Sequence, residues 1–329
     1  MAYASLQSDF RYFVTSEGYI AYHCYRHPLL ARRPVYIVVG DPVAPVSSFA
    51  RLIRDFLGTA PHALFIHTSE DCAGVLDSQG LTVNQHGVET DLHLPHYDLR
   101  GKLKANLRHW VNTARKAGVE VIEQDLLSVD VKEVSEVSEE FLRRKGGREL
   151  ALLTRPFEYR EQPDVRFFWA RRNGELLGFA TFDPLYKNGR VYGYYRDITR
   201  CKHSAPNGTP DLITTTAIEQ FKREGREVLK LGFSPLCLLA DEPFHASRLL
   251  RWLFEYGYKY GELSYGFKGL AFHKKYYRGT ERPVFVASTT RNNLLLIRDH
   301  TAYGHSLGMW AINRSRYFFS RLFSVRLRH

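Results

Sequence analysis

The dipeptide Asn173-Gly174 constrains the chain more than any other pair of residues. It separates two apolar runs, residues 165–171 and 176–182. A two-residue hairpin turn that matches the twist of its strands needs positive φ at both central positions, and Asn followed by Gly accepts this at least cost. The spacing therefore predicts a β-hairpin. Around it the pattern predicts a third strand over 191–195, a polar loop over 202–210, a helix over 211–225, a strand over 228–232 and a helix over 244–256. A helix over 131–144 precedes the hairpin, acidic early and basic late, which complements the helix dipole.

The first half repeats this α/β character. Residues 35–39 form an apolar run that stops at Gly40-Asp41-Pro42, residues 47–57 read as a helix, and residues 63–66 as a second buried strand. The clearest helix covers 101–118. Leu103, Leu107, Trp110, Val111 and Ala114 recur at helical spacing and are expected in the core, while Lys104, Arg108 and Arg115 fall on another face. Gly118 reads as its stop.

Composition bounds the partners. Of 329 residues, 44% are hydrophobic and 14% aromatic, enough for a buried core in one large domain or two. The formal net charge of +11 favours polyanions, meaning nucleic acid or an anionic membrane surface, or else describes a wet basic exterior. Cys24, Cys72, Cys201 and Cys237 form no Cys-x-x-Cys pair, so they read as reduced thiols of a cytoplasmic protein with neither a disulfide frame nor a metal site. No run reaches the roughly 18 apolar residues of a membrane helix, and no signal peptide is evident, so any membrane contact is expected to be peripheral. Residues 309–329 mix aromatics with Arg314, Arg316, Arg321, Arg326 and Arg328. They read as a basic amphipathic helix that docks on the protein body, lies on anionic lipid or touches RNA. The chain holds no Gly-x-Ser-x-Gly elbow, His-Glu-x-x-His pair or Walker lysine loop.

The order helix, hairpin, strand, loop, helix, strand, helix resembles the GNAT acyltransferase fold. The expected architecture is α/β, with two GNAT-like domains in tandem and mixed sheets flanked by helices. Their bounds are 1–125 and 126–300, followed by the basic segment 301–329. The acetyl-CoA pyrophosphate loop of ordinary GNAT enzymes is not present. A longer series of motifs is more specific. Gly40-Asp41-Pro42 and Gly87-Val88-Glu89 come first, then Tyr97-Asp98-Leu99-Arg100-Gly101-Lys102. Arg196 and Asn207-Gly208-Thr209-Pro210-Asp211 follow, then Leu231-Gly232-Phe233-Ser234-Pro235 and Phe272-His273-Lys274-Lys275-Tyr276. Over residues 35–290 this series resembles the C-terminal synthase domain of phosphatidylglycerol lysyltransferases and alanyl-phosphatidylglycerol synthases. The resemblance implies transfer of an aminoacyl group from aminoacyl-tRNA to an acceptor hydroxyl, with no nucleotide cofactor. The acceptor it implies is a phospholipid; some stand-alone relatives instead acylate a small hydroxylamine. Two positions depart from the family. Gly193 stands where an acidic residue is usual, and His273 where the first lysine of Phe-Lys-x-Lys-Phe is usual.

The resemblance nominates Asp211, Arg196 and Lys275 as catalytic. Asp211 opens a predicted helix, where it serves as N-cap or as ligand or base toward the donor. Arg196 ends a Tyr-rich strand, where it holds a phosphate or the terminal adenosine, or pairs with an acid. Lys275 stabilises an oxyanion, binds phosphate or is one more surface lysine. Glu89, Asn207 and His273 are candidates for substrate binding; Glu89 reads as a ligand or base toward the donor or as a surface carboxylate, and His273 as a base at neutral pH or as a packed or solvated histidine. Lys104, Arg108 and Arg115 either track tRNA phosphates or form the wet face of their helix.

Overall fold

A computed structural model of the chain describes residues 10–27, 31–144, 157–240, 243–260, 267–292 and 296. The basic segment expected at 301–329 lies outside them. The first half contains β1 (Arg11–Thr15), β2 (Gly18–His27), β3 (Ala31–Val39), α1 (Phe49–Thr59), β4 (Ala63–Thr68), α2 (Glu70–Ser78), β5 (Thr82–His93) and α3 (Ala105–Lys116). The second contains β6 (Glu120–Glu123), α4 (Val131–Arg144), β7 (Arg166–Arg172), β8 (Glu175–Lys187), β9 (Arg190–Cys201), α5 (Thr209–Arg223), β10 (Val228–Pro235), α6 (Arg248–Tyr260), α7 (Phe267–Lys275) and β11 (Thr280–Ser288).

The eleven strands form one mixed sheet in the order β1-β2-β3-β4-β11-β5-β10-β9-β8-β7-β6. The last strand among the described residues, β11, inserts antiparallel between β4 and β5 of the first half. The two halves thus share a single sheet, and β6, just before the expected boundary, pairs with β7 beyond it. The predicted hairpin is present: Arg172 pairs with Glu175, and Asn173 and Gly174 have φ of 51° and 83°. Asn188 and Gly189, with φ of 52° and 74°, turn β8 into β9 by the same chemistry.

Helices cover both faces of the sheet. Leu107, Val111 and Ala114 of α3 pack with Leu212, Ala217 and Phe221 of α5 against Phe168, Phe182 and Tyr194. Burying a side chain such as Phe221 contributes roughly 2–3 kcal/mol. On the other face Val134 and Val137 of α4 cover Trp169 and Phe179, and the Trp169 indole donates to the Gln124 carbonyl at 2.9 Å. In the first half α1 and α2 bury Leu52, Phe56, Ala73 and Leu76 against Phe65 and Val83. Leu103 corrects the expected core list. It lies in a short 3-10 turn ahead of α3 and is 67% exposed, because the helix begins only at Ala105. Among the described residues no helix is long and apolar enough to cross a membrane.

Candidate active site

The site forms where β9 and β10 part. They run parallel through Val228–Gly193, Leu229–Tyr194 and Lys230–Tyr195, and the pairing ends there. Gly193 permits this approach: a Cβ on it would sit 2.4 Å from the Val228 carbonyl oxygen. The acidic residue usual at this position has no room here. Beyond Lys230 the register of β10 against β5 shifts, and Gly232 takes φ 86°, a bulge that redirects the strand.

Three matched segments meet at this opening. Arg196 is buried on β9; its Nη1 donates to Thr214 Oγ1 at 3.0 Å and its Nη2 to the Leu231 carbonyl at 3.5 Å. Asp211 lies in the first turn of α5 and is 4% exposed. Its Oδ1 accepts the Tyr277 hydroxyl at 2.8 Å, and His273 Nε2 lies 2.9 Å from the same oxygen. Burial, then the Asp211 charge, pushes the Tyr277 phenol well above its ordinary range, so it remains a donor. The helix end itself is pressed onto α3. Gly208 has φ 88°, and a Cβ there would lie 2.0 Å from the Trp110 carbonyl oxygen. The Trp110 ring stacks on His273 at 5.8 Å between centroids and 17° between planes.

The third nominated residue, Lys275, is exposed at the end of α7. Its neighbour Lys274 is the buried lysine, 2% exposed, and its amine donates to the Phe233 carbonyl at 2.8 Å. Burial, reinforced by the nearby Arg196 charge, lowers that amine to about 7. Glu89 on β5 is buried and paired with Lys230 of β10 at 3.0 Å. Burial is the largest single influence on the Glu89 carboxyl and raises it, but the Lys230 charge, its hydrogen bond and the other positive groups together outweigh burial, and the net direction is down. Asp91 is bound to Arg282 at 2.8 Å. Asn207 is exposed in the loop before α5.

The basic stripe on α3 divides. Lys104 donates to the Asp98 carbonyl and sits over the Tyr97 ring, and Arg108 donates to the carbonyls of Leu99 and Gly101. These two hold the 97–101 segment, whereas Arg115 is exposed.

Three residues at the site were passed over in the sequence reading: Lys274, Tyr277 and His67. His67 on β4 has φ 57° and is buried against Phe233 at 4.4 Å. Neither ring nitrogen has a hydrogen-bond partner among the described residues. Burial lowers its pKa to about 4, so the ring is neutral. A histidine ending the apolar run 63–66 carries no sequence mark of this. For Lys274 and Tyr277 the signal is the helical spacing of 273, 274 and 277, which carries one side of α7 into the turn that follows it.

A splayed parallel strand pair, a helix starting at the opening, and a carboxylate with cations beside it mark the candidate site of this α/β protein. The family described as "Phosphatidylglycerol lysyltransferase, C-terminal" matches residues 1–288, and the chain belongs to it. Phosphatidylglycerol lysyltransferase of Bacillus subtilis (strain 168) is 25% identical over 279 residues, covering 80% of this chain and 31% of that protein. The chain therefore spans about a third of the length of the curated relatives it matches. Two solved structures share the fold. L-PGS from Bacillus licheniformis superposes with a TM-score of 0.72 at 21% identity, covering 91% of this chain and 89% of that one. The C-terminal domain of a putative lysylphosphatidylglycerol synthetase from Agrobacterium fabrum gives 0.70 at 22% identity, covering 89% and 88%.

Proposed function

We propose that this chain transfers an aminoacyl group from charged tRNA to an acceptor hydroxyl. The observation that carries the reading is the convergence of Asp211, Tyr277, His273 and Arg196, drawn from three separate segments, at the parting of β9 and β10. An aminoacyl-tRNA is already an activated ester, so exchange onto a hydroxyl needs positioning, proton transfer and charge stabilisation rather than a further energy source. In this reading the donor α-ammonium lies against Asp211, whose Tyr277 hydrogen bond and His273 contact both fall on Oδ1 and leave Oδ2 to receive it. Arg196 and Lys274 meet the oxyanion. The exposed Lys275, Arg115 and Asn207 face the terminal nucleotides and their phosphates. Glu89, fixed by Lys230, lines the opening from the β5 side.

The acceptor is phosphatidylglycerol, the lipid in the relatives' name, reached by peripheral contact with an anionic membrane. A second reading, a small hydroxylamine or hydroxyl metabolite, is favoured by Gly193, because the acid usual in the lipid enzymes has no space beside Val228. The test offers a panel of labelled aminoacyl-tRNAs with either phosphatidylglycerol vesicles or small hydroxylamines, and acetyl-CoA as a donor control. Label moving to one acceptor class from tRNA, and none from acetyl-CoA, is the expected result. Equal binding of charged and uncharged tRNA without release of amino acid would instead describe a tRNA-binding module that is not an enzyme.

A further inference from the structure

We infer that His273 is the proton-transfer residue of this site and that Asp211 positions it. The inference deepens the aminoacyl-transfer reading and rests on it. Four observations converge. His273 Nε2 lies 2.9 Å from Asp211 Oδ1, an approach a carboxylate favours with the proton on that nitrogen, and this leaves Nδ1 as the acceptor. The ring cannot turn away easily: Trp110 stacks on it at 5.8 Å and 17°, and the Tyr277 ring meets it edge-on at 5.8 Å and 67°. Its side chain is 33% exposed, so the ring sits at the border between the buried carboxylate and an arriving substrate. Asp211 is the weaker candidate for the base itself, because it is buried and its Oδ1 already accepts the Tyr277 hydroxyl with His273 Nε2 close beside it.

The charged and titratable groups around the ring come from every packed element. They are Asp211 on α5, Tyr277 just after α7, and Arg196 on β9, whose guanidinium lies 6.0 Å from the Tyr277 ring; Lys274 and Lys275 follow His273 on α7, and α3 presents the uncharged Trp110. A buried carboxylate behind an imidazole, with cations kept one layer away, is the arrangement that holds one tautomer and steadies the imidazolium formed during reaction.

The step balances without an oxidant or a further reactant. The acceptor oxygen bonds to the aminoacyl carbon while its proton passes to Nδ1. The tetrahedral intermediate then breaks its bond to the ribose oxygen of the tRNA, and that oxygen takes the proton from Nδ1. One ester is exchanged for another, and the imidazole returns to its starting state.

The test exploits a nucleophile that needs no base. Hydroxylamine attacks an ester through neutral nitrogen and sheds its proton afterwards, whereas a hydroxyl must lose its proton as it attacks. His273→Gln is assayed with the active aminoacyl-tRNA and either phosphatidylglycerol vesicles or hydroxylamine, above the uncatalysed rate. Loss of transfer to the vesicle hydroxyl by about 10²–10⁴-fold, with hydroxylamine cleavage kept within about threefold, is the expected result. Retained cleavage also reports a folded site. As a second variant, His273→Ala regains hydroxyl transfer on addition of free imidazole. Equal loss with both nucleophiles and no imidazole rescue would reduce His273 to a packing residue. Full hydroxyl transfer by His273→Gln would remove it from the mechanism while leaving aminoacyl transfer standing. A wild-type protein inert toward every charged tRNA with both nucleophiles would overturn the functional reading, and this role with it.

Discussion

Replacing Lys274 by Met should stabilise the fold, and by an amount that depends on pH. The Lys274 amine falls from an ordinary 10.5 to about 7 because it is buried beside Arg196. At about 1.4 kcal/mol per tenfold change in proton affinity, holding the ammonium in the fold costs roughly 5 kcal/mol below pH 7. Its single bond to the Phe233 carbonyl returns only about 1 kcal/mol. Methionine has a similar length and no charge to desolvate. The net gain expected for Lys274→Met at pH 6 is therefore about 2–4 kcal/mol. The sign with pH follows from the protons bound. Between pH 7 and 10.5 the unfolded chain holds a proton that the folded amine has lost, so wild-type stability rises across that window. The roughly 5 kcal/mol that wild type regains exceeds this advantage, so the variant's lead should shrink accordingly and be lost or reversed by pH 10.5. Urea unfolding of both proteins at pH 6, 8 and 9.5 measures this. A variant less stable than wild type at pH 6, or a difference constant across the three pH values, would refute the reasoning. A concurrent loss of transfer in the stabilised variant is expected, since stability given up at a buried charge commonly serves a site.

The remaining predictions concern the supports of the site. Gly208→Ala should cost at least about 2 kcal/mol in chemical denaturation, because alanine resists φ 88° and its Cβ meets the Trp110 carbonyl at 2.0 Å; an unchanged midpoint would show that α5 is not pressed on α3. Arg108→Gln should lower stability by about 1–3 kcal/mol through the lost bonds to Leu99 and Gly101 and leave the salt dependence of tRNA binding unchanged. Arg115→Gln should do the reverse, keeping stability and flattening the log–log salt slope by about 0.7–0.9 if it meets one phosphate.

Much of the scaffold could be read without coordinates because local chemistry decided it. Asn173-Gly174 specified its turn, and α4 begins and ends at the residues where charge and periodicity placed it. Asn188-Gly189 carried the same signal, which went unused because the apolar run before it is interrupted by Asp183, Pro184 and Lys187. The insertion of β11 between β4 and β5 was not legible, since pairing between strands roughly 190 residues apart leaves no periodic mark on either. The site divides in the same way. Asp211 and Arg196 could be nominated from their motifs, yet that both reach Tyr277 depends on how α7 crosses β10. Lys274 and Lys275 are adjacent, identical side chains, and only the packing of α7 decides which one is buried. Arg108 looked like a member of a wet stripe because spacing reports the face of a helix and not the carbonyls folded beneath it.

The central claim is aminoacyl transfer at Asp211, and its most direct measurement follows labelled amino acid from charged tRNA into acceptor with wild type and Asp211→Asn side by side. An asparagine can present an N–H to His273 Nε2 in place of the carboxylate, which unsettles the tautomer and removes the charge that faces the α-ammonium. The account predicts tRNA affinity nearly unchanged and transfer reduced by about 10²–10⁴-fold. Transfer by the variant at the wild-type rate, with tRNA bound equally well, would contradict it.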